Sequence, residues 1–196
     1  DCRVRRNRRS GSSGPGGIYA KDSTRVEACA ITDNIGVEYG GGVWLRETAA
    51  IRDCLVRANM ASWGGGIYSQ SVEPIVGCTI TDNASMGFLN GYYEYGGGGV
   101  MVYAGDPVSI INCLIAGNTA KADGGGVYAS TSVSLQHCTV LRNAADYDGN
   151  GVYSQSSVQV GNSIIRDNST GLQIHTTGAV GVHHSNLQNG INGIKF

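Results

Sequence analysis

Long uniform stretches of any kind are missing from this chain. No run of 18 apolar residues occurs among its 196, which excludes a membrane-spanning helix. No stretch holds its apolar residues at a 3.6-residue period, so helices are not expected. No basic and then apolar leader opens the chain, which starts at Asp1, inside what proves to be a repeat. Net charge is nearly absent too, at −1. That figure hides an asymmetry: residues 1–10 hold five Arg and one Asp, and the remainder nine basic and fourteen acidic residues. Glycine alone is abundant, 31 of 196 residues, and its placement is periodic, so disorder is the wrong inference.

The period is set by six cysteines, each followed five positions later by Asn: Cys2/Asn7, Cys29/Asn34, Cys54/Asn59, Cys78/Asn83, Cys113/Asn118 and Cys138/Asn143. Ser163/Asn168 is a seventh copy. Successive anchors are 27, 25, 24, 35, 25 and 25 residues apart. Eleven positions before each anchor from Cys29 on, with Ser185 as the last, comes a β-branched residue, Ile18, Val43, Ile67, Val102, Val127, Val152 or Ile174, usually preceded by glycines. An aliphatic lies three before the anchor (Val26, Ile51, Ile75, Ile110, Leu135, Val160, Val182). Another lies two after it (Val4, Ile31, Val56, Ile80, Ile115, Val140, Ile165, Leu187).

Three short β-branched patches bounded by turn residues read as three strands per repeat. Hairpins would alternate chain direction and scramble this alignment, whereas a coil of parallel turns stacks like on like. The expected fold is therefore all-β: a right-handed parallel β-helix solenoid of about seven to eight rungs, three short strands each, in one domain over 1–196. With strands ~4.8 Å apart the rod is roughly 35 Å long. The 35-residue spacing places one loop insertion at 84–99. Neither end reads as a cap, so the chain is expected to be a piece of a longer one.

The cysteines form one interior column. In-register parallel pairs point the same way and bridge poorly, so free, buried thiols are expected. Asn at a fixed turn is expected to adopt the left-handed conformation and to hydrogen-bond along the stack. Arg3, Arg5 and Arg6 fall on turn or outward positions with no aromatic near them in sequence, which argues against a nucleic-acid partner.

The pattern Gly-Gly-Gly-(Val/Ile)-Tyr, followed by Cys-x-(Ile/Val)-x-x-Asn, resembles the right-handed β-helix repeats of the pectate-lyase-like superfamily. In repeat pattern it is most similar to polymorphic outer-membrane and adhesin-type bacterial surface proteins. The resemblance implies an extracellular or cell-surface location. The Asn-Thr-Asp, Asp-Asp, Gly-His-Gly, Arg-Ile-Lys and Asp-Pro-His-Asp patterns of catalytic β-helices do not occur. Asp33, Asp82 and Asp167 share a column, but turn preference accounts for them.

Candidate sites remain. Tyr19, Trp44, Tyr68, Tyr103, Tyr128 and Tyr153 follow the first strand residue and are expected to form one outward stripe suited to sugar rings or a partner protein. Phe88, Tyr92, Tyr93 and Tyr95 in the insertion are a candidate recognition loop. Asp123, Asp146 and Asp148, beside glycine carbonyls, are a calcium candidate. The leading functional expectation is a non-catalytic spacer or adhesion module that binds a glycan or surface protein. The alternatives are a polysaccharide lyase or hydrolase, and a rod that self-associates end to end.

Overall fold

The computed structural model describes residues 2–11, 13–89, 92–93, 95–169 and 173–195. Each rung runs through three short strands and belongs to three parallel sheets. Sheet I has eight strands, from Ile18–Ala20 to Ile194–Lys195. Sheet II has seven, from Arg25–Glu27 to Val180–His183, and sheet III eight, from Cys2–Arg5 to Asn186–Leu187. Every strand in them pairs with its counterpart in the neighbouring rung, and all of these pairs are parallel. A short fourth ladder joins Met60–Ala61, Ala84–Ser85, Thr119–Ala120 and Ala144–Ala145. The architecture is the expected all-strand solenoid of about seven turns.

The three aliphatic columns meet at the centre. Ile67, Ile75 and Ile80 of one rung are fully buried, as are Val127, Leu135 and Val140 of another, and the core continues through all rungs. Burying a Val, Leu or Ile side chain contributes about 1.5–3 kcal/mol. The repeated columns are thus the main source of stability.

Three of the turns in a rung are made with left-handed residues in most rungs. Gly40, Gly64, Gly97, Gly124 and Gly149 hold φ between +61° and +74° before sheet I. Ala28, Asp53, Gly77, Asn112, His137, Asn162 and His184 hold φ between +48° and +64° before the anchor column. The third set is Arg6, Asp33, Ala58, Asp82, Gly117, Arg142 and Asp167. The left-handed residue is therefore the one before each ladder Asn, and the expectation that the Asn itself takes this conformation is corrected. The Asn stays in ordinary backbone geometry so that its side chain can point inward.

Those side chains form a continuous buried ladder. In each rung the backbone N–H and Nδ2 of Asn donate to Oδ1 of the next rung's Asn, from Asn7→Asn34 at 3.0 and 2.9 Å to Asn143→Asn168 at 3.0 and 2.9 Å. Nδ2 also donates to a core carbonyl, as Asn83 does to Val56 at 3.0 Å. At the last step Asn168 Nδ2 donates to Oε1 of the buried Gln173 at 2.8 Å.

The anchor column is a second ladder. Cys54, Cys78, Cys113 and Cys138 are buried, while Cys29 is half-buried and Cys2 exposed; all six thiols are free. Each of the last five donates Sγ–H to the carbonyl two residues before it, at 3.1–3.4 Å. Sγ also accepts an N–H from the preceding rung, as Cys113 does from Cys78 at 3.4 Å. Ser163 makes the same two bonds, accepting from Cys138 N at 2.9 Å and donating to Gly161 O at 2.8 Å, which explains how a hydroxyl can replace the thiol.

The long rung departs from the expected frame. Val100, not Val102, pairs with Ile67 and Val127, and Met101 stands between Tyr68 and Tyr128. The glycine turn fixes where sheet I begins, so two extra residues fall after this strand instead of before it. They are absorbed in the turn that contains Asp106 and Pro107, and Tyr103 and Ala104 move out of the columns assigned to them.

Replacing Asn83 by Ala removes four hydrogen bonds and leaves two donors of Asn59 buried without partners. An expected loss of about 3 kcal/mol or more should appear as a drop of several degrees in the thermal midpoint by circular dichroism. Cys138→Ser, which keeps both bonds, should cost less than about 1.5 kcal/mol.

Candidate functional site

The outward face of sheet I carries two columns. The first runs Tyr19, Trp44, Tyr68, Met101, Tyr128, Tyr153 and His175. An open aromatic stripe was expected, and that expectation is corrected: Tyr68 is 3% and Tyr128 1% exposed, and Trp44 and Tyr153 are half-buried. Of the stripe residues only Tyr19, at 46%, and the displaced Tyr103, at 45%, stay open.

Two of the covering side chains come from residues directly before left-handed glycines. Tyr39 and Trp63 each stand directly before such a glycine and are paired across rungs. Tyr39 packs on Trp44, Trp63 and Tyr68 with ring centroids 4.8–5.2 Å apart. Tyr95 lies over Trp63, Tyr128 and Tyr103 at 5.7–6.2 Å. Tyr128 and Tyr153 stack at 5.3 Å. The result is a second apolar cluster outside the coil. Sequence reasoning missed Tyr39 and Trp63, although their shared position before glycine was a signal.

In this cluster Trp63 Nε1 and the Tyr128 hydroxyl are buried with no partner among the described residues. Burial pushes the Tyr128 phenol far above the ordinary range.

The insertion contributes an antiparallel pair, Phe88–Leu89 with Tyr92–Tyr93. The side chains of the candidates Phe88, Tyr92 and Tyr93 lie outside the described residues. Tyr95 acts as a lid on the cluster and as one wall of an open cleft of about 470 Å³. Tyr103, Gln70, Ser130 and Gln155 line the same cleft. Gln70 accepts from Trp44 Nε1 at 3.1 Å, and its own NH₂ group has no partner among the described residues.

These residues belong to the second outward column, in which Arg46 pairs with Gln70 and Tyr103 N bonds the Ser69 carbonyl. A second cleft, about 500 Å³, lies at the other end of the same face. It brings Arg8 and Arg9 beside Tyr19 and Trp44. The absence of aromatics near the basic segment held only along the sequence; folding supplies them.

The acidic residues are dispersed. Asp33, Asp82 and Asp167 form ion pairs with Arg5, Arg57 and Arg166 at 2.9–3.3 Å. Asp123 and Asp148 are stacked neighbours, with Asp148 N donating to Asp123 Oδ1 at 2.9 Å. Asp146 instead pairs with Lys121 at 3.1 Å, and Asp148 faces Lys195 at 3.4 Å. Asp148 also lies 3.0 Å from His175 Nδ1, although the angle is wrong for a hydrogen bond. The three calcium candidates are therefore not gathered around one point, and no cluster of three His, Cys, Asp or Glu suited to a metal occurs among the described residues.

The geometry defines a parallel β-solenoid with a decorated outer face. Residues 90–196, more than half of the chain, match the family described as the right-handed beta helix region, and the chain belongs to that family. No curated protein and no solved structure matches it.

The buried Tyr128 hydroxyl and the half-buried Asp123 carboxyl give two predictions. Tyr128→Phe deletes an unsatisfied buried hydroxyl and should leave stability unchanged or raise it by up to about 1 kcal/mol, read from thermal unfolding. Burial raises the Asp123 carboxyl above its ordinary value. Its folded form thus favours the proton, and stability falls as pH rises from the unfolded to the folded value. Asp123→Asn keeps the acceptor, so it should be more stable than the parent at pH 7 and equal to it below pH 3, by melts across that range.

Proposed function

We propose that this chain is a non-catalytic β-helix module of a cell surface or extracellular protein, displaying a glycan-recognition face on a rigid rod. The observation that carries the reading is the cleft between Tyr95 and Tyr103. Two rings stand edge to face at its wall, and Gln70, Ser130 and Gln155 offer amide and hydroxyl groups at its rim. Aromatic surface beside neutral hydrogen-bonding groups suits the apolar face and hydroxyl edge of a sugar.

The rod supplies the rest of the mechanism. Tyr103 directly follows the buried strand Val100–Val102 and is tied by its N–H to the Ser69 carbonyl at 2.8 Å, so little order is lost when a ligand binds. The engaged carboxylates support a binding role over cleavage, because a hydrolase needs two carboxyl groups across one bond. In the cleft around Tyr103 no acid lines the wall among the described residues.

A glycan array followed by analysis of bound sugars for unsaturated or reducing ends tests the reading. Binding without new ends is expected, and Tyr103→Ala should weaken it about tenfold or more while the thermal midpoint stays within about 2 °C, as for an exposed side chain. New ends would establish an enzyme instead, and binding indifferent to Tyr103→Ala would remove this cleft from the function.

A further inference from the structure

We propose that the second cleft, formed by Arg8, Arg9, Tyr19 and Trp44, binds a sugar carrying an oxyanion, either carboxylate or sulfate. This rests on reading the outer face of sheet I as a recognition surface, but its residues and its ligand chemistry are separate from those of the Tyr103 cleft.

Three observations converge on this cleft. The first is charge without a partner. Arg5, Arg57 and Arg166 each face an aspartate, whereas Arg8 and Arg9 are exposed and form no ion pair among the described residues. Guanidinium groups favour planar oxyanions, which they can grip with two parallel N–H donors.

The second is an aromatic platform beside them. Tyr19 and Trp44 lie 4.9 Å apart at a tilt of 58°. Trp44 is fixed through Nε1 to Gln70 and from behind by Tyr39. Arg46 donates to the Tyr19 hydroxyl at 3.4 Å and lies 5.8 Å from the Trp44 ring centre. Tyr19, 46% exposed, leaves ring surface beside the arginines to accept the C–H face of a pyranose.

The third is a rigid floor. Arg9 N donates to the Ile35 carbonyl at 3.0 Å, and Gly16 and Gly17 donate to Gly40 and Gly41 at 3.2 and 3.1 Å. A Cβ on Gly16 would meet Ile35 carbonyl carbon at 2.5 Å, and one on Gly14 would meet the Arg9 guanidinium carbon at 2.9 Å. Backbone therefore closes the floor at Gly16, and the Arg9 guanidinium lies directly against Gly14.

The charge distribution limits the size of the ligand. Residues 11–196 hold nine basic and fourteen acidic residues, so a long polyanion such as nucleic acid meets repulsion along the rod. A short anionic sugar fits this local patch of positive charge.

The test is a titration of the intact chain followed by Trp fluorescence and calorimetry. Trp44 is the more exposed of the two tryptophans and borders the cleft. The ligands are an oligouronate, its methyl ester, a sulfated disaccharide and its desulfated form, and a short single-stranded oligonucleotide.

Binding of the oligouronate, the sulfated disaccharide or both is expected, with the neutral forms at least about tenfold weaker, the scale of one charge-assisted hydrogen bond. Arg8→Gln/Arg9→Gln should abolish that preference, and Tyr19→Ala should weaken binding of all the sugars. Tyr103→Ala should change none of these. Which acid binds identifies the oxyanion. Equal affinity for charged and neutral sugars, indifference to Arg8→Gln/Arg9→Gln, no acidic sugar bound, or tighter binding of the oligonucleotide would each overturn the proposal. Neutral sugar lost on Tyr103→Ala with no acidic sugar bound would sink this proposal and leave the display reading standing. Acidic sugar bound through Arg8 and Arg9 with Tyr103→Ala silent on every glycan would do the reverse.

Discussion

In-register stacking of identical rungs is the constraint on which this structure depends, and the asparagine ladder is what enforces it. A buried amide left unpaired costs about 1–3 kcal/mol. Each ladder Asn avoids that penalty only if the next rung sets its own Asn directly above. A slip of one residue would expose the core columns and orphan the amides together. Register is thus specified twice, by apolar packing and by polar satisfaction, so the outer face is not needed to set it. Side chains there can vary from rung to rung, as the change from Tyr39 and Trp63 to Asp123 and Asp148 along one turn column illustrates.

That separation explains how two clefts of different chemistry stand on one sheet. Beneath them lies the aromatic cluster, whose rings pack against each other and against the coil. It backs Trp44, Tyr95 and Tyr153 from within, while Gln70 and Tyr103 on the solvent side contact Trp44 and Tyr95 in turn. In aromatic pairs the geometry contributes about 0.5–1.5 kcal/mol beyond area, enough to hold ring orientation at the outer face.

Much of the fold could be read from the sequence because the repeat makes each position report on its whole column. The Cys-to-Asn spacing alone placed sheet II, sheet III and both ladders in register. Failure came where local counting competes with turn geometry. Counting eleven back from Cys113 picked Val102, but Gly97 and its left-handed turn start the strand at Val100. The site was less legible for a related reason. Alternation along a strand says that Tyr68 and Tyr128 point away from the coil, and they do. It cannot say that Tyr39, Trp63 and Tyr95 fold over them from other turns. Likewise Arg8 and Tyr19 are eleven residues apart in sequence, and only the course of the first rung sets them side by side.

The ladder also has a direction. From Asn7 to Asn168 each amide donates toward the following rung and accepts from the one before. The cysteine column runs the same way. Side-chain dipoles aligned head to tail polarise one another, so the rod is electrically asymmetric along its axis even where its net charge is balanced. At Gln173 the row ends on an amide oxygen supplied from within the chain. The two ends of such a polar row are chemically unlike, and whatever meets one of them meets a different hydrogen-bonding surface from whatever meets the other.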